Sequence, residues 1–302
     1  MLTIRILLAA MIASAGMASE TAVAQLGDDL VLAAGAGDCQ SQFSLAQCFE
    51  TGTDEPQDFL KAAAWYRRAA DQGHAGAAFS LGLCYQFGKG VERDFVTAVA
   101  WFRAAAAEGH VLAQYNLAVC YANGDGVVQD AAEAFRWYAL AARQGDAEAQ
   151  YSLGHYYKTG IGVDKNLMEA SWWYLQAARQ GHIDATYNLA VCYAKGEGVR
   201  QDFSQAMAWY QEAAELGDAD SENMLGFCFE SGRGTDRDPA QAAVWYRRAA
   251  DQGHSRAQFR LGRLYENGIG VGKDLRQASD WYRKAAATEP EALHALGRLP
   301  GK

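Results

Sequence analysis

A chain of 302 residues that is half hydrophobic and holds only four prolines can bury a large core, and does not have the composition of a disordered polypeptide. Its formal net charge of −9 contains no block of five or six lysines and arginines, so it lacks the electrostatic footprint that phosphate backbones and anionic lipids require. Nucleic acid is excluded as an expected partner.

Residues 1–24 start with Arg5 as their one basic residue, continue through an apolar run from Ile6 to Ala18, and end in Ala22-Val23-Ala24. This is the pattern of a secretory signal peptide, and the run is too short to span a bilayer. No second apolar stretch follows. The mature chain is therefore expected to have no integral membrane segment and to be periplasmic or secreted. A lipoprotein would need a cysteine just after the apolar run, whereas the first, Cys39, is too distant. Residues 25–38 form an N-terminal segment ahead of the regular part of the chain.

From there the chain is periodic. Trp65-Tyr66, Trp101-Phe102, Trp137-Tyr138, Trp173-Tyr174, Trp209-Tyr210, Trp245-Tyr246 and Trp281-Tyr282 recur at intervals of 36 residues. Ala62, Ala98, Ala134, Ala170, Ala206, Ala242 and Ala278 keep the same register. The repeats are 39–74, 75–110, 111–146, 147–182, 183–218, 219–254 and 255–290, and residues 291–302 supply a capping fragment. No linker divides them.

One unit shows the physics. Between Ala75 and Phe87, Ala77, Leu81, Cys84 and Tyr85 share one helical face, which predicts helix A. Gly88-Lys89-Gly90-Val91 stops it, because glycine accepts the left-handed conformation that closes a helix end. Asp94 then caps helix B, where Phe95, Ala98, Phe102 and Ala105 again share a face, and Gly109 ends it. A hairpin with an apolar side must stack on its neighbours to bury that side, with alanines allowing close approach and tryptophan and tyrosine filling the wider gaps.

The order L-G-x-x-Y, G-x-G-V-x-x-D, A-x-x-W-Y, A-A and G-H resembles the Sel-one-like repeat consensus. It is carried here by Leu81-Gly82, Tyr85, Gly88-Lys89-Gly90-Val91, Asp94, Trp101-Phe102 and Gly109-His110. The resemblance, to a family related to tetratricopeptide-type helical repeats, implies an all-α fold: a right-handed α/α solenoid of seven 36-residue helix-turn-helix repeats. The first repeat departs from the pattern, with Thr53-Asp54-Glu55-Pro56 in place of the glycine turn.

Cys48, Cys84, Cys120, Cys192 and Cys228 occupy one repeat position on helix A. Stacked helices hold such positions roughly 8–10 Å apart, too far for a disulfide, so buried free thiols are expected, with Cys39 as the one exposed thiol. Cysteine-rich secreted members of the family that act on β-lactams carry two cysteines per repeat, and this chain does not follow them. Lys158-Thr159-Gly160 spells a motif of penicillin-interacting serine enzymes, but S-x-x-K and S-D-N are both missing, and the triplet reads as the end of a helix A. His74, His110, His182 and His254 alternate with Asp146 and Asp218 at one repeat position, which points to helix capping rather than metal binding. Gly268-Ile269-Gly270-Val271-Gly272-Lys273 lacks the spacing and following hydroxyl of a phosphate loop. No metal and no cofactor is expected.

If helix A lines the concave wall, as the resemblance to the tetratricopeptide fold implies, two columns face the groove. The first is Phe43, Phe79, Tyr115, Tyr151, Tyr187, Asn223 and Phe259; the second is Gln47, Leu83, Val119, His155, Val191, Phe227 and Arg263. Glu148, Lys158, Asp184, Lys195, Asp220 and Glu230 form a charged rim. Packing between adjacent A helices accounts for the first column equally well, whereas the second varies from repeat to repeat in a way that core positions do not. The expected binding residues are Phe79, Leu83, Tyr115, Val119, Tyr151, His155, Tyr187, Val191 and Phe227, and the expected ligand is a protein or peptide. The function expected is that of an exported, non-enzymatic interaction scaffold. The alternative is a cell-wall-directed or β-lactam-binding or hydrolysing enzyme of the cysteine-rich branch.

Overall fold

A computed structural model describes residues 29–53 and 56–299; the expected leader, residues 1–24, and Asp54-Glu55 of the first repeat's turn lie outside the described residues. The A helices are α1 (Cys39–Thr51), α3 (Ala75–Phe87), α5 (Val111–Asn123), α7 (Ala147–Thr159), α9 (Ile183–Lys195), α11 (Ala219–Ser231) and α13 (Ser255–Asn267). The B helices are α2 (Phe59–Asp71), α4 (Phe95–Ala107), α6 (Ala131–Arg143), α8 (Leu167–Ala178), α10 (Phe203–Glu215), α12 (Pro239–Asp251) and α14 (Leu275–Ala285), and α15 (Pro290–Arg298) follows. Residues 29–35 form a helical stretch ahead of α1, and no strand occurs among the described residues. None of the described helices is long and apolar enough to cross a membrane.

The chain divides into two compact units, one ending at Ala141 and one beginning at Ala142. In the first, α1 packs on α2, α2 on α3, α3 on α4, and α4 on α5. In the second, the same succession runs without a break from α7 to α15.

Helix starts follow from side chains three residues away. Nδ1 of His74, His110, His182 and His254 accepts the amide of Ala77, Ala113, Ala185 and Ala257 at 3.0, 3.2, 3.3 and 3.0 Å. Asp146 and Asp218 take the amides of Ala149 and Ser221 at 2.7 and 2.8 Å. A histidine that accepts at Nδ1 is neutral, with its proton on Nε2. Accordingly, Nε2 of His254 lies 3.0 Å from Asp220, and that of His74 lies 3.2 Å from the Gln40 amide oxygen.

Burial, and secondarily the electrostatic repulsion that would arise between two protonated rings at His110 and His74, lowers the pKa of His110. Its folded value then lies below its unfolded value of about 6.5, so the unfolded chain binds more protons between the two. Stability from this group is complete above about pH 6.5 and is lost as pH falls toward the lowered folded value. The expected result is that His110→Asp, which keeps a cap of the Asp146 kind, loses less melting temperature than the parent between about pH 7.5 and pH 5.5. Equal losses in parallel thermal melts would show that the neutral ring contributes nothing to acid sensitivity.

The alanine column lies in the core, no member more than 1 % exposed. Of each aromatic pair, the second ring is buried in every repeat, and Tyr66, Phe102, Tyr174, Tyr210, Tyr246 and Tyr282 are essentially sealed. Burying such a ring stabilises the fold by roughly 1.5–3 kcal/mol. Among the tryptophans of the repeated pairs only Trp173 and Trp281 are buried; the others are half-buried, while Trp172, outside the column, is exposed. Neighbours on a helix point about 100° apart, so one member of the pair faces its own A helix and the other is left at the margin. Gly82, Gly154, Gly226 and Gly262 leave room for these rings: a Cβ at Gly226 would stand 2.4 Å from Tyr246.

A second buried column is polar. Gln42, Gln114, Gln150 and Gln258 donate Nε2 to the carbonyls of Ala34, Ala106, Ala142 and Ala250, each eight residues earlier. Glu222 holds the equivalent position in the sixth repeat and has no hydrogen to donate. Arg248 substitutes, reaching the Ala214 carbonyl through Nη2 at 3.5 Å and Glu222 through Nε at 2.9 Å. The carboxylate, 2 % exposed, also accepts from Gln252 at 2.7 Å.

Candidate functional site

In the first unit, the expected binding residues lie on two A helices. Phe79 and Leu83 are on α3 and Tyr115 and Val119 on α5, all half-buried. The Phe79 ring is stacked on His110 at 4.7 Å and tilted against Phe102 at 5.9 Å, while Tyr115 meets Tyr138 at 5.7 Å. These aromatic rings tie each A helix to its own B helix, and in the case of Phe79 to the cap of the next repeat. Leu83 and Val119 make no such ring contact; both are half-buried apolar groups of this face, and Leu83 also packs against the core.

The second unit repeats the arrangement. Tyr151 on α7 is stacked on His182 at 4.6 Å and meets Tyr174 at 5.9 Å; Tyr187 on α9 meets Tyr210 at 5.8 Å. Burial first, then nearby carboxylates, raises the hydroxyl pKa of Tyr151 and Tyr187, so both stay neutral donors. His155 is exposed, whereas Val191 and Phe227 are half-buried. Partial desolvation, followed by the charge of Lys158, lowers the His155 pKa, so its ring is uncharged at neutral pH.

Much of the expected rim has partners within the chain, one of them across a repeat boundary. Lys158 donates to Asn188 at 3.0 Å, and Glu230 accepts the buried Tyr246 hydroxyl at 2.6 Å. Glu148 lies 3.4 Å from His182 Nε2, without the alignment of a hydrogen bond. Asp184 is exposed, and Lys195 lies 3.9 Å from Glu197.

At the C-terminal end of this unit, a cleft of about 400 Å³ opens between α11 and α13, lined by Phe227, Glu230, Phe259, Arg260 and Arg263 among others. The guanidinium carbons of Arg233 and Arg260 lie 5.3 and 5.0 Å from the centre of the Phe227 ring. Arg260 was not among the expected residues. Its signal was a position held by Ser44, Ser80, Asn116, Ser152, Asn188 and Met224 elsewhere and by a cation only in the last repeat. A larger hollow of about 580 Å³ lies at the turn after α9, lined by Tyr193, Val199, Arg200, Gln201 and Asp202, with no member of either column.

The cysteines are free thiols. Burial pushes Cys84, Cys120, Cys192 and Cys228 up to about 11, which makes them unreactive at neutral pH. The expectation for Cys39 is corrected. It is half-buried, as Cys48 also is, because its Sγ donates to the Ala69 carbonyl at 3.5 Å at the end of α2. Among the described residues, no group of histidine, cysteine and carboxylate side chains could hold a metal ion. Lys158-Thr159-Gly160 closes α7, with Gly160 as its left-handed cap, and Gly268 closes α13 in the same way.

Stacked helix pairs, each closed by its own caps and presenting its A helix on one face, define an all-helical repeat protein of the α-solenoid class. The chain belongs to the Sel1 repeat family, whose description matches residues 39–74, 75–110, 111–146, 147–182, 183–218, 219–254 and 255–287. It is similar to c5321, a protective antigen of uropathogenic Escherichia coli with this fold: 36% identity, TM-score 0.85, covering 90% of this chain and 58% of that one. It thus corresponds to little more than half of the E. coli chain. It is also similar to a Sel1 repeat protein from Oxalobacter formigenes, with 32% identity, TM-score 0.71, and coverage of 94% of this chain and 82% of that one. None of the curated proteins compared matches it.

Proposed function

We propose that this protein is an exported, non-enzymatic scaffold that binds a protein or peptide on its A-helix face. Sel1 repeat proteins generally act as protein-interaction scaffolds, and that is the general statement on which the proposal builds. The observation that carries the finer reading is the second column. Leu83, Val119, Val191 and Phe227 are apolar and only half-buried, at a position whose occupant changes from repeat to repeat. A position required for packing would keep its size, as the alanine and tyrosine columns do; one that contacts a partner is free to differ. Export rests on the Arg5, Ile6–Ala18 and Ala22-Val23-Ala24 pattern.

The test is affinity capture from envelope extract by residues 25–302, beside a variant carrying Leu83→Glu, Val119→Glu and Val191→Glu. A protein retained by the parent and lost by the variant, with the variant's helical circular dichroism unchanged, is the expected result. Identical retention by both would remove the A-helix face from consideration. Turnover of a chromogenic β-lactam by the purified chain would instead favour the enzymatic alternative.

A further inference from the structure

We propose that the end of the A-helix face built by α11 and α13 is a docking site for a carboxylate-rich peptide segment of a partner protein, gripped by Arg233, Arg260 and Arg263 around Phe227. This rests on the scaffold reading above and specifies the chemistry of the partner.

The first observation is that these three cations lack counter-ions. Arg248 is neutralised by Glu222 at 2.9 Å, and Arg256 by Glu289 at 2.8 Å and by Glu291. None of Arg233, Arg260 and Arg263 is in an ion pair among the described residues. Glu230 and Glu266 accept the Tyr246 and Tyr282 hydroxyls, and among the described residues neither forms an ion pair with these three cations. In a chain of net charge −9, Arg260 and Arg263 line this cleft with Glu230 as its one carboxylate, and Arg233 stands beside the Phe227 ring, a local excess of positive charge.

The second observation is preorganisation. Arg260 is half-buried, and its Nη1 lies 3.3 Å from Asn223 Oδ1 and 3.4 Å from the Tyr246 hydroxyl. Both partners are neutral, so they orient the guanidinium without cancelling its charge. A fixed planar fork of donors suits bidentate carboxylate binding, and less side-chain entropy remains to be lost when the ligand arrives.

The third observation is the setting. The half-buried Phe227 ring beside Arg233 and Arg260 offers an apolar surface to a side chain of the same segment. Earlier A helices of this unit carry Glu148, Asp184 and Asp220 at the repeat position where α13 has Arg256. Arg256 is itself paired with Glu289 and Glu291, so the positive charge at this end comes from Arg260 and Arg263 of α13 and from Arg233, set against the acidic residues of α7, α9 and α11; that asymmetry sets the direction in which a peptide with one acidic end lies.

The probes are two fluorescein-labelled peptides, EEFEE and its neutral counterpart QQFQQ, titrated by anisotropy into the full chain. EEFEE is expected to bind at least about tenfold more tightly than QQFQQ. Arg233→Glu together with Arg263→Glu, both on exposed side chains, is expected to weaken EEFEE at least about tenfold. The control Arg276→Glu on α14 is expected to change it less than about twofold. Equal affinity for the two peptides, or an equal loss with Arg276→Glu, would overturn the proposal. If the double variant still captures the partner of the preceding experiment and EEFEE does not bind, the acidic-peptide site is refuted while the scaffold reading stands. If that experiment also yields no groove-dependent partner, both readings fail.

Discussion

Replacing Gly198 by alanine is expected to lower the unfolding free energy by about 2–5 kcal/mol, one of the largest effects of any single methyl group in this chain. Gly198 sits in the turn between α9 and α10 with φ +76°, and a Cβ there would stand 1.9 Å from the Leu167 carbonyl oxygen and 2.3 Å from its carbon. Both atoms are backbone at the start of α8, so no side chain can rotate aside. The cost combines about 1–2 kcal/mol for a left-handed L-residue with about 1–3 kcal/mol of overpacking between successive repeats. Gly196, two residues earlier, provides the control. Its φ is +73°, but the nearest atom to a new Cβ is Gln201 Cβ at 3.2 Å, within its own turn. Gly196→Ala should therefore show only the conformational part, about 1–2 kcal/mol. Urea midpoints of the two variants measure the difference. Equal losses would mean that the turn moves away from α8 at no cost, and that the close approach of repeats there is not enforced.

Arg248→Ala is expected to cost about 3–5 kcal/mol, because it leaves the Glu222 carboxylate buried with only Gln252 as partner. The reverse substitution behaves differently. Glu222→Gln restores the side chain found at Gln42, Gln114, Gln150 and Gln258, which reaches its carbonyl unaided. It should change stability by less than about 1 kcal/mol, and in that background Arg248→Ala should cost far less than it does alone. The double-mutant cycle separates these outcomes. Additive losses would show that Arg248 acts by packing its stem rather than by compensating the buried charge.

The match between sequence and structure is closest where the determinants are local. Helix α3 has the bounds, Ala75–Phe87, that its apolar spacing and the following glycine predict. The exchange of histidine for aspartate at one repeat position identifies a cap, and His110 and Asp146 make the same bond to the amide three residues on. The nine expected binding residues all fall on A helices, yet their standing differs. The aromatic four, Phe79, Tyr115, Tyr151 and Tyr187, are held against rings of the following B helix, which spacing alone does not reveal.

By itself, the sequence determined the number and length of the repeats, the helix ends, the buried alanine column and the absence of disulfide-competent cysteine pairs. These follow from helical period, from caps acting within three residues, and from a unit repeated often enough to average out local exceptions. Only the tertiary structure decided which ring of each Trp-Tyr pair is sealed, that Cys39 is shielded by the Ala69 carbonyl, that Arg248 completes Glu222, and that Arg233 and Arg260 converge on Phe227. Most of those contacts join different helices, where the angle and separation of helix axes set which side chains meet, and a pattern read along one chain does not contain that geometry.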